Sequence, residues 1–525
     1  MPRYDGLVET LARKLASVEQ FQQDVRLIPP SDVRAMASRT PAEAQRTFGI
    51  DLALTGSVEG AGERLRWKAT VVDAGTLRPL RPDEMEAPVR DVATLQDGLV
   101  RQVAKILGFE LSAQAERLLA VGNTGDPEAY ASYLYAHGYL RRSTSQVEHV
   151  DRAISLFQKA IEKDPSFGLA HAGLGEAYWA KSTLSKDQQS GEKARESCLR
   201  AIASNTDQAQ VRVTLGKIYA GTGRLQEAVT EFQRAVELDP LSSEAYLGLA
   251  DAYSAIGRLN DAEATYRKWI GLRPRYYLPH SHLASFYVQQ ARYRDAETEF
   301  RRVIQLAPDN HKGYGNLGAV YHLLGRLDEA AAMMKKSLAI RPTGSGYTNL
   351  GTLYFFQGRY SDAVPLMEKA VELDPNSYLI WQNLADAYRW SLEHRASAPA
   401  AYQRAIQLAE RQLAINPNDA VLRSSLASYH AKLSNREKAL AEIGRARRLA
   451  PTNSKVLLIA ALVLELAGKR DQAISALDLA LKSGYSIHEV RRDPELAELR
   501  KDPRYERLEK SASRNGVGAR RGERP

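Results

Sequence analysis

The chain has 525 residues, 26% of them charged and 44% hydrophobic, with a formal net charge of +9 and one cysteine. That length can bury a long continuous core, the single cysteine excludes a disulfide framework, and no stretch reads as a membrane span or a secretory leader. The positive charge is spread over pairs such as Arg301-Arg302, Lys335-Lys336 and Arg447-Arg448, which read as solvated helix faces; with no basic-aromatic motif, no nucleic acid partner is expected.

Residues 1–110 read as a small α+β domain. Leu7, Leu11, Leu15 and Val18 fit an amphipathic helix, and Val25–Ile28 a short strand ended by Pro29-Pro30. Thr40-Pro41-Ala42-Glu43 is a capping box with Pro at the first helical position, and Gly49 ends that helix. Leu52–Glu59 and Arg64–Asp73 alternate as two strands, with Leu65, Trp67, Ala69 and Val71 on one side of the second. Leu95, Leu99, Val103 and Ile106 mark a closing helix. A linker follows over 111–126.

From 127 to 483 the pattern changes to a fixed period. Pro240, Pro274, Pro308, Pro342 and Pro375 recur at steps of 33 or 34 residues, and Pro417 and Pro451 continue the series. Between them lie Tyr246-Leu249-Ala250-Tyr253 with Ala262 and Tyr266, then His280-Leu283-Ala284-Tyr287 with Ala296 and Phe300, then Tyr314-Leu317-Gly318-Tyr321 with Ala330 and Met334. The bulky positions fall on one helical stripe, the small ones admit a partner helix, and each Pro ends one repeat. Pro375 to Pro417 is stretched, placing extra residues around 393–400 in an inter-helix turn. Cys198 takes the position of Phe232 and Tyr266 and reads as a core residue. The count is about ten repeats. The last, Val456–Leu464, is apolar all round and reads as a helix buried under a helical cap at 484–510, whose Asp493-Pro494 and Asp502-Pro503 are helix starts. Residues 511–525 read as a disordered basic tail.

This pattern resembles the tetratricopeptide repeat. The resemblance implies a mainly α fold, a right-handed superhelix of helix–turn–helix repeats whose first helices line a concave groove. The amino-terminal strings Asp5-Gly6-Leu7, Leu54-Thr55-Gly56-Ser57-Val58, Val72-Asp73-Ala74 and Leu95-Gln96-Asp97 resemble the TolB amino-terminal-like domain. The whole arrangement is similar to the C-terminal half of bacterial serine/threonine kinases with such arrays. That family's domain opens with an apolar strand, whereas this chain starts at the helix. Two readings stand, an internal start at Met1 or a truncated gene, and under either the domain's sheet would lack a strand; in the kinase relatives a membrane span lies upstream.

No catalytic constellation emerges. There is no phosphate-binding Gly-rich loop, His394-Arg395-Ala396 lacks a catalytic Asp, and no Asp-Phe-Gly occurs. His280 and His282 point to different helix faces, so neither a metal nor a cofactor is expected. The functional pattern is a ladder: Asn316, Asn349 and Asn383 each precede the Leu of the first helix in consecutive repeats. Asn carries a donor and an acceptor that can pair with an extended peptide backbone. The ladder resembles the asparagine ladder in the repeat region of O-linked N-acetylglucosamine transferase. His282 holds the equivalent position, and Lys312, Thr352, Phe355, Gln382, Asp386 and Arg389 are neighbours expected on the same face. The Lys/Asn/Arg set of a clamp for C-terminal carboxylates is absent. The expected function is a non-enzymatic scaffold binding a protein or peptide, in bacterial signalling and in the cytoplasm. The alternative is the regulatory region of a membrane-anchored kinase, with a signalling kinase as partner and an extracytoplasmic position.

Overall fold

The computed structural model describes residues 40–518 except 49, 62–63, 89–91, 109, 114–115, 117–123, 143–145, 186, 205 and 486, and residues 10, 11, 14 and 15 before them. The strand expected at Val25–Ile28, the end of the first helix at Val18, the facing of Leu65, Trp67 and Ala69, and residues 519–525 of the tail lie outside this description. The chain forms two compact units, 1–308 and 309–525, each described by itself.

The capping box forms as its residues dictate. Thr40 Oγ1 accepts from Glu43 N at 3.2 Å while Glu43 Oε2 accepts from Thr40 N at 3.1 Å, starting α1 (Pro41–Phe48). An antiparallel sheet follows in the order β1 (Leu52–Ala61), β2 (Arg64–Asp73), β3 (Pro79–Pro88). The third strand went unread because Pro79, Pro82 and Pro88 argue against a strand. Among the described residues β3 lies at the sheet edge, pairing with β2 alone, and Pro is tolerated on an edge strand where its missing N–H faces away from the ladder. Helix α2 (Val92–Ile106) buries Leu99, Val100, Val103 and Ala104. These share one core with Leu11, Leu15, Tyr130 and Tyr133, so no break in packing separates the sheet segment from the first repeat. Gln96 joins them by donating to Thr10 Oγ1 and accepting from Tyr130 Oη.

Ten helix pairs follow among the described residues. In the first unit they are α3 (Pro127–Arg142) with α4 (Val147–Lys163), α5 (Gly168–Ser185) with α6 (Gln188–Ala203), α7 (Ala209–Gly221) with α8 (Leu225–Leu238), α9 (Ser243–Ala255) with α10 (Leu259–Leu272), and α11 (Tyr277–Gln289) with α12 (Tyr293–Leu306). In the second they are α13 (His311–Leu323) with α14 (Leu327–Ile340), α15 (Gly344–Phe356) with α16 (Tyr360–Leu373), α17 (Tyr378–Trp390) with α18 (Ala398–Ile415), α19 (Ala420–Lys432) with α20 (Arg436–Leu449), and α21 (Ser454–Leu466) with α22 (Arg470–Lys482). The stretched repeat spends its extra residues on a 3-10 turn at Arg395–Ser397 and on an 18-residue second helix.

The inter-helix turn is a repeated chemical module. Arg224, Arg258, Arg292, Arg326 and Arg359 each donate a backbone N–H to a Tyr carbonyl five residues back, at 2.8–2.9 Å. Each guanidinium then lies 4.1–4.6 Å from that Tyr ring, a contact worth about 0.5–1 kcal/mol at an exposed site. Each also pairs with an acidic residue three positions on. The residue before the Arg is left-handed: Gly223, Gly257, Gly325 and Gly358 have φ of 74–79°, and Ala291 has φ of 54°. A Cβ there costs roughly 1–2 kcal/mol, partly offset by the entropy of Gly. Ala291→Gly should therefore stabilise the first unit by roughly 0.5–1 kcal/mol, read as a raised denaturation midpoint.

Close approach of helices follows from the small positions. A Cβ on Gly175 would come within 2.5 Å of Cys198 Sγ, so the thiol takes the place the larger side chains occupy elsewhere. Cys198 is fully buried, and burial pushes its pKa up to about 12. Thiol reagents at pH 8 should leave the native chain unmodified and label one thiol after denaturation; rapid native labelling would contradict the packing.

Beyond the repeats come α23 (Ile487–Arg492), a 3-10 turn at Pro494–Leu496, α24 (Ala497–Arg500) and α25 (Pro503–Gly518). Asp493 and Asp502 cap as expected, accepting from Glu495 N at 2.9 Å and Arg504 N at 3.0 Å. Val490, Leu496 and Leu499 close the core over Val456–Leu464 of α21. Helix α25 runs to Gly518, past residue 510 where the cap was expected to end, so 511–518 is helical rather than disordered. The physical reason is continuation: Tyr505 anchors the helix on the core, and no Pro or cap residue stops it before Gly516-Val517-Gly518. No helix among the described residues is long and apolar enough to cross a membrane.

Candidate protein-binding face

In both compact units the first helices of successive repeats pack directly on one another, as α7 does on α9 and α15 on α17, whereas neighbouring second helices pack less closely. Side chains at one register of the first helices therefore form a stripe along each unit. Asn316, Asn349 and Asn383 lie on α13, α15 and α17, consecutive first helices of the second unit. Asn316 and Asn349 are exposed and Asn383 is half-buried. None of the three amides hydrogen-bonds to another described residue, in contrast to the capping Asn310 and Asn453. Lys312 is exposed on the first turn of α13, and Thr352 is half-buried one turn beyond Asn349.

Other expected face residues are committed elsewhere. Phe355 is buried, packing edge-on against Phe356 at 5.6 Å and Tyr360 at 5.2 Å. It belongs to the core of its own repeat; the neighbouring Phe356, 42% exposed, is the aromatic that faces outward. Gln382 accepts from Tyr429 Oη at 2.7 Å. Asp386 accepts from Tyr402 Oη and pairs with Lys432 Nζ. Arg389 faces Glu495 at 3.6 Å. These three serve a buried network rather than a free surface.

The network joins three elements. Lys432 at the end of α19 is 3% exposed in its side chain and stands 3.4 Å from Glu495 Oε1 as well as beside Asp386. Trp390 Nε1 of α17 donates to the same Glu495 oxygen at 3.2 Å. Glu495 comes from the 3-10 turn of the cap. Burial opposes the charge on Lys432, but the fields of Asp386 and Glu495 outweigh it and hold its pKa well above the usual value. Burial likewise opposes ionised Glu495, and Lys432, Arg389 and the Trp390 N–H outweigh it, so its pKa is lowered. Sequence reasoning put Asp386 and Arg389 on a binding face and missed their network partners Trp390, Lys432 and Glu495. No local motif links residues up to 105 positions apart.

His282 lies in the first unit. It stacks on Trp269 at 5.9 Å and is held neutral-leaning by burial. It lines a cavity of about 220 Å³ with Asp251, Ser254, Tyr266, Ser285 and Phe286. Asp251 accepts from Tyr266 Oη at 3.0 Å. His280 is buried against Glu299, with Nδ1 to Oε2 at 2.6 Å, occupying the core aromatic position the repeat pattern assigns it. Among the described residues no cluster of three His, Cys, Asp or Glu side chains could hold a metal.

Tetratricopeptide-repeat family models match residues 145–209, 213–277, 277–343, 314–376 and 348–419. The chain therefore belongs to the tetratricopeptide-repeat family. It is 27% identical over 174 residues to a putative adenylate cyclase 3 of Rhizobium meliloti, 32% of this chain and 28% of that protein. It is 32% identical over 122 residues to the human protein O-mannosyl-transferase TMTC2, 22% of this chain and 14% of that protein. The chain thus spans less than a third of either curated relative. Among solved structures, a thermophilic tetratricopeptide protein of Thermus thermophilus is 27% identical with a TM-score of 0.30, covering 34% of this chain and 98% of its own. A repeat protein of Parabacteroides merdae is 18% identical with a TM-score of 0.36, covering 50% and 98%.

Proposed function

We propose that this chain is a non-enzymatic interaction scaffold whose first-helix face binds an extended segment of a protein partner. The observation that carries the reading is the Asn316–Asn349–Asn383 stripe: three amides at one register of consecutive repeats, none of them used inside the described chain. Each amide offers a donor and an acceptor, and an extended peptide backbone meets both together. Lys312 and Thr352 border the stripe and complete the contact set.

The amino-terminal segment to residue 110 serves as a second recognition module of TolB-like type, and the chain acts in bacterial signalling in the cytoplasm. The name of the adenylate cyclase relative supports a signalling context. The second reading, a regulatory region of a larger kinase, rests on the similarity of the whole arrangement to the C-terminal half of bacterial serine/threonine kinases with such arrays.

The test is partner capture on immobilised full chain, with the Asn316→Ala, Asn349→Ala, Asn383→Ala triple variant beside it. Surface truncations of this kind shift stability by only about 0.5 kcal/mol each, so melting should stay near wild type. Partners should be lost from the triple variant and retained at raised salt. An unchanged set of captured proteins would rule the stripe out.

A further inference from the structure

Glu495 ties the cap to the first-helix face of the second unit, and its surroundings are those of a ligand site. Two cations, Lys432 and Arg389, and the Trp390 N–H converge on one side-chain carboxylate. Lys432 is buried almost completely and Glu495 side-chain exposure is 8%. The occupant does not meet every donor: Arg389 Nη1 is buried with no hydrogen bond, 3.6 Å from Glu495 Oε2. A buried cationic donor left short of its acceptor favours a carboxylate that can approach more closely.

The segment presenting Glu495 is slight. It is a three-residue 3-10 turn followed by the four-residue α24, lengths with little cooperative stability of their own. Leu496 and Leu499 seat it on the core, and its polar ties are the Asp493 cap and Arg500 Nη1 bonding the carbonyls of Val490 and Asp493. A row of aromatic contacts leads to the site from outside the core to inside it: His322, Phe356, Phe355, Tyr360 and Trp390 follow one another at 5.2–6.5 Å between ring centres.

We propose that Arg389, Trp390 and Lys432 form a carboxylate-binding site, filled here by the chain's own Glu495, which takes the side-chain carboxylate of an acidic partner segment when the cap yields. The partner segment presents Glu or Asp on a first helical turn, as Asp493-Pro494-Glu495 does. Its recognised group is a side chain, unlike that of a clamp for C-terminal carboxylates. The site is independent of the asparagine stripe. Because the cis occupant competes at an effective concentration of order millimolar, the wild-type chain binds a partner weakly and loss of the Glu495 charge strengthens binding.

The probe is a fluorescent peptide of this chain's residues 487–502, titrated by anisotropy into full-length chain. The Glu495→Gln chain should bind it at least about tenfold more tightly than wild type. A peptide carrying Gln at the position of Glu495, with Glu489 and Glu498 kept, should lose that gain, as should Trp390→Phe in the Glu495→Gln background. Equal affinity of wild-type and Glu495→Gln chains, or equal binding of both peptides, would overturn the proposal. Should Glu495→Gln fail to fold by circular dichroism, hydrogen exchange of wild-type chain decides. Millimolar peptide should then speed exchange across 487–500, and unchanged exchange there would overturn the proposal equally. The asparagine triple variant should bind this peptide as wild type does, which separates the two readings.

Discussion

Lys432→Met should destabilise the second compact unit by about 3–5 kcal/mol, the usual result of removing one partner from a buried ionic network. The side chain is 3% exposed and faces two carboxylates, Asp386 and Glu495. Its removal leaves both buried without their cation, apart from Arg389 at 3.6 Å from Glu495. Replacing all three groups by neutral ones, Lys432→Met with Asp386→Asn and Glu495→Gln, should recover most of the loss, because neither carboxylate is then left charged without Lys432, and Arg389, 30% exposed in its side chain, keeps solvent in reach. The sign against pH follows from the shifts. Glu495 has a lowered pKa, so its contribution is present above the unfolded carboxylate value of about 4.3 and fades as pH falls through the lower folded value. Lys432 has a raised pKa, so its contribution is present below about 10.4 and fades as pH rises through the folded value. Asp493 works against the pair, since burial raises its pKa and its ionisation costs stability above the unfolded value. The wild-type-minus-variant difference in denaturation free energy should therefore be flat from about pH 6 to 9 and shrink on the acid side. A constant difference down to pH 2 would show that the network is not ionic.

Phe232→Ala should cost the first compact unit about 3–5 kcal/mol, as large-to-small changes at aromatic core positions do. Phe232 on α8 is 2% exposed. Its ring fills the space above two glycines: a Cβ on Gly216 of α7 would lie 2.7 Å from it, and one on Gly248 of α9 2.3 Å. One side chain thus packs its own repeat and the next together. Its loss should loosen both interfaces, because such arrays derive stability from neighbour contacts. The complementary change, Gly248→Val, should destabilise by about 1–3 kcal/mol through overpacking. Paired with Phe232→Ala it should cost less than the sum of the two, since the added methyls enter the vacated space. Chemical denaturation read by far-UV circular dichroism measures all three. Full additivity would show that the ring and the glycine do not share that space.

Much of the fold was legible because the repeat is local. The stripe Tyr246-Leu249-Tyr253, the small Ala250 and Ala262, and the terminal Pro274 each act within about 34 residues, so helix pairs and their turns follow from spacing alone. The capping box at Thr40 and the Asp caps at Asp493 and Asp502 were legible for the same reason. The edge strand β3 was not, because its prolines contradict strand propensity and only its place at the sheet edge makes them harmless. Phe355 was assigned to the face and turned out to be core, since adjacent aromatics at 355 and 356 carry no sign of which one faces Tyr360.

The sequence by itself determined the helix pairs, their turns, the small positions where helices meet and the asparagine register, because each depends on periodicity and on side-chain size within one or two repeats. The tertiary structure alone decided that Gln382, Asp386 and Arg389 are engaged inside the chain. It also decided that Lys432 and Trp390 share a site with them and that Glu495 fills it. A carboxylate 63 residues beyond its lysine and 105 beyond its indole has no periodic relation to either, and only the cap's docking on α21 and α22 brings those charges together.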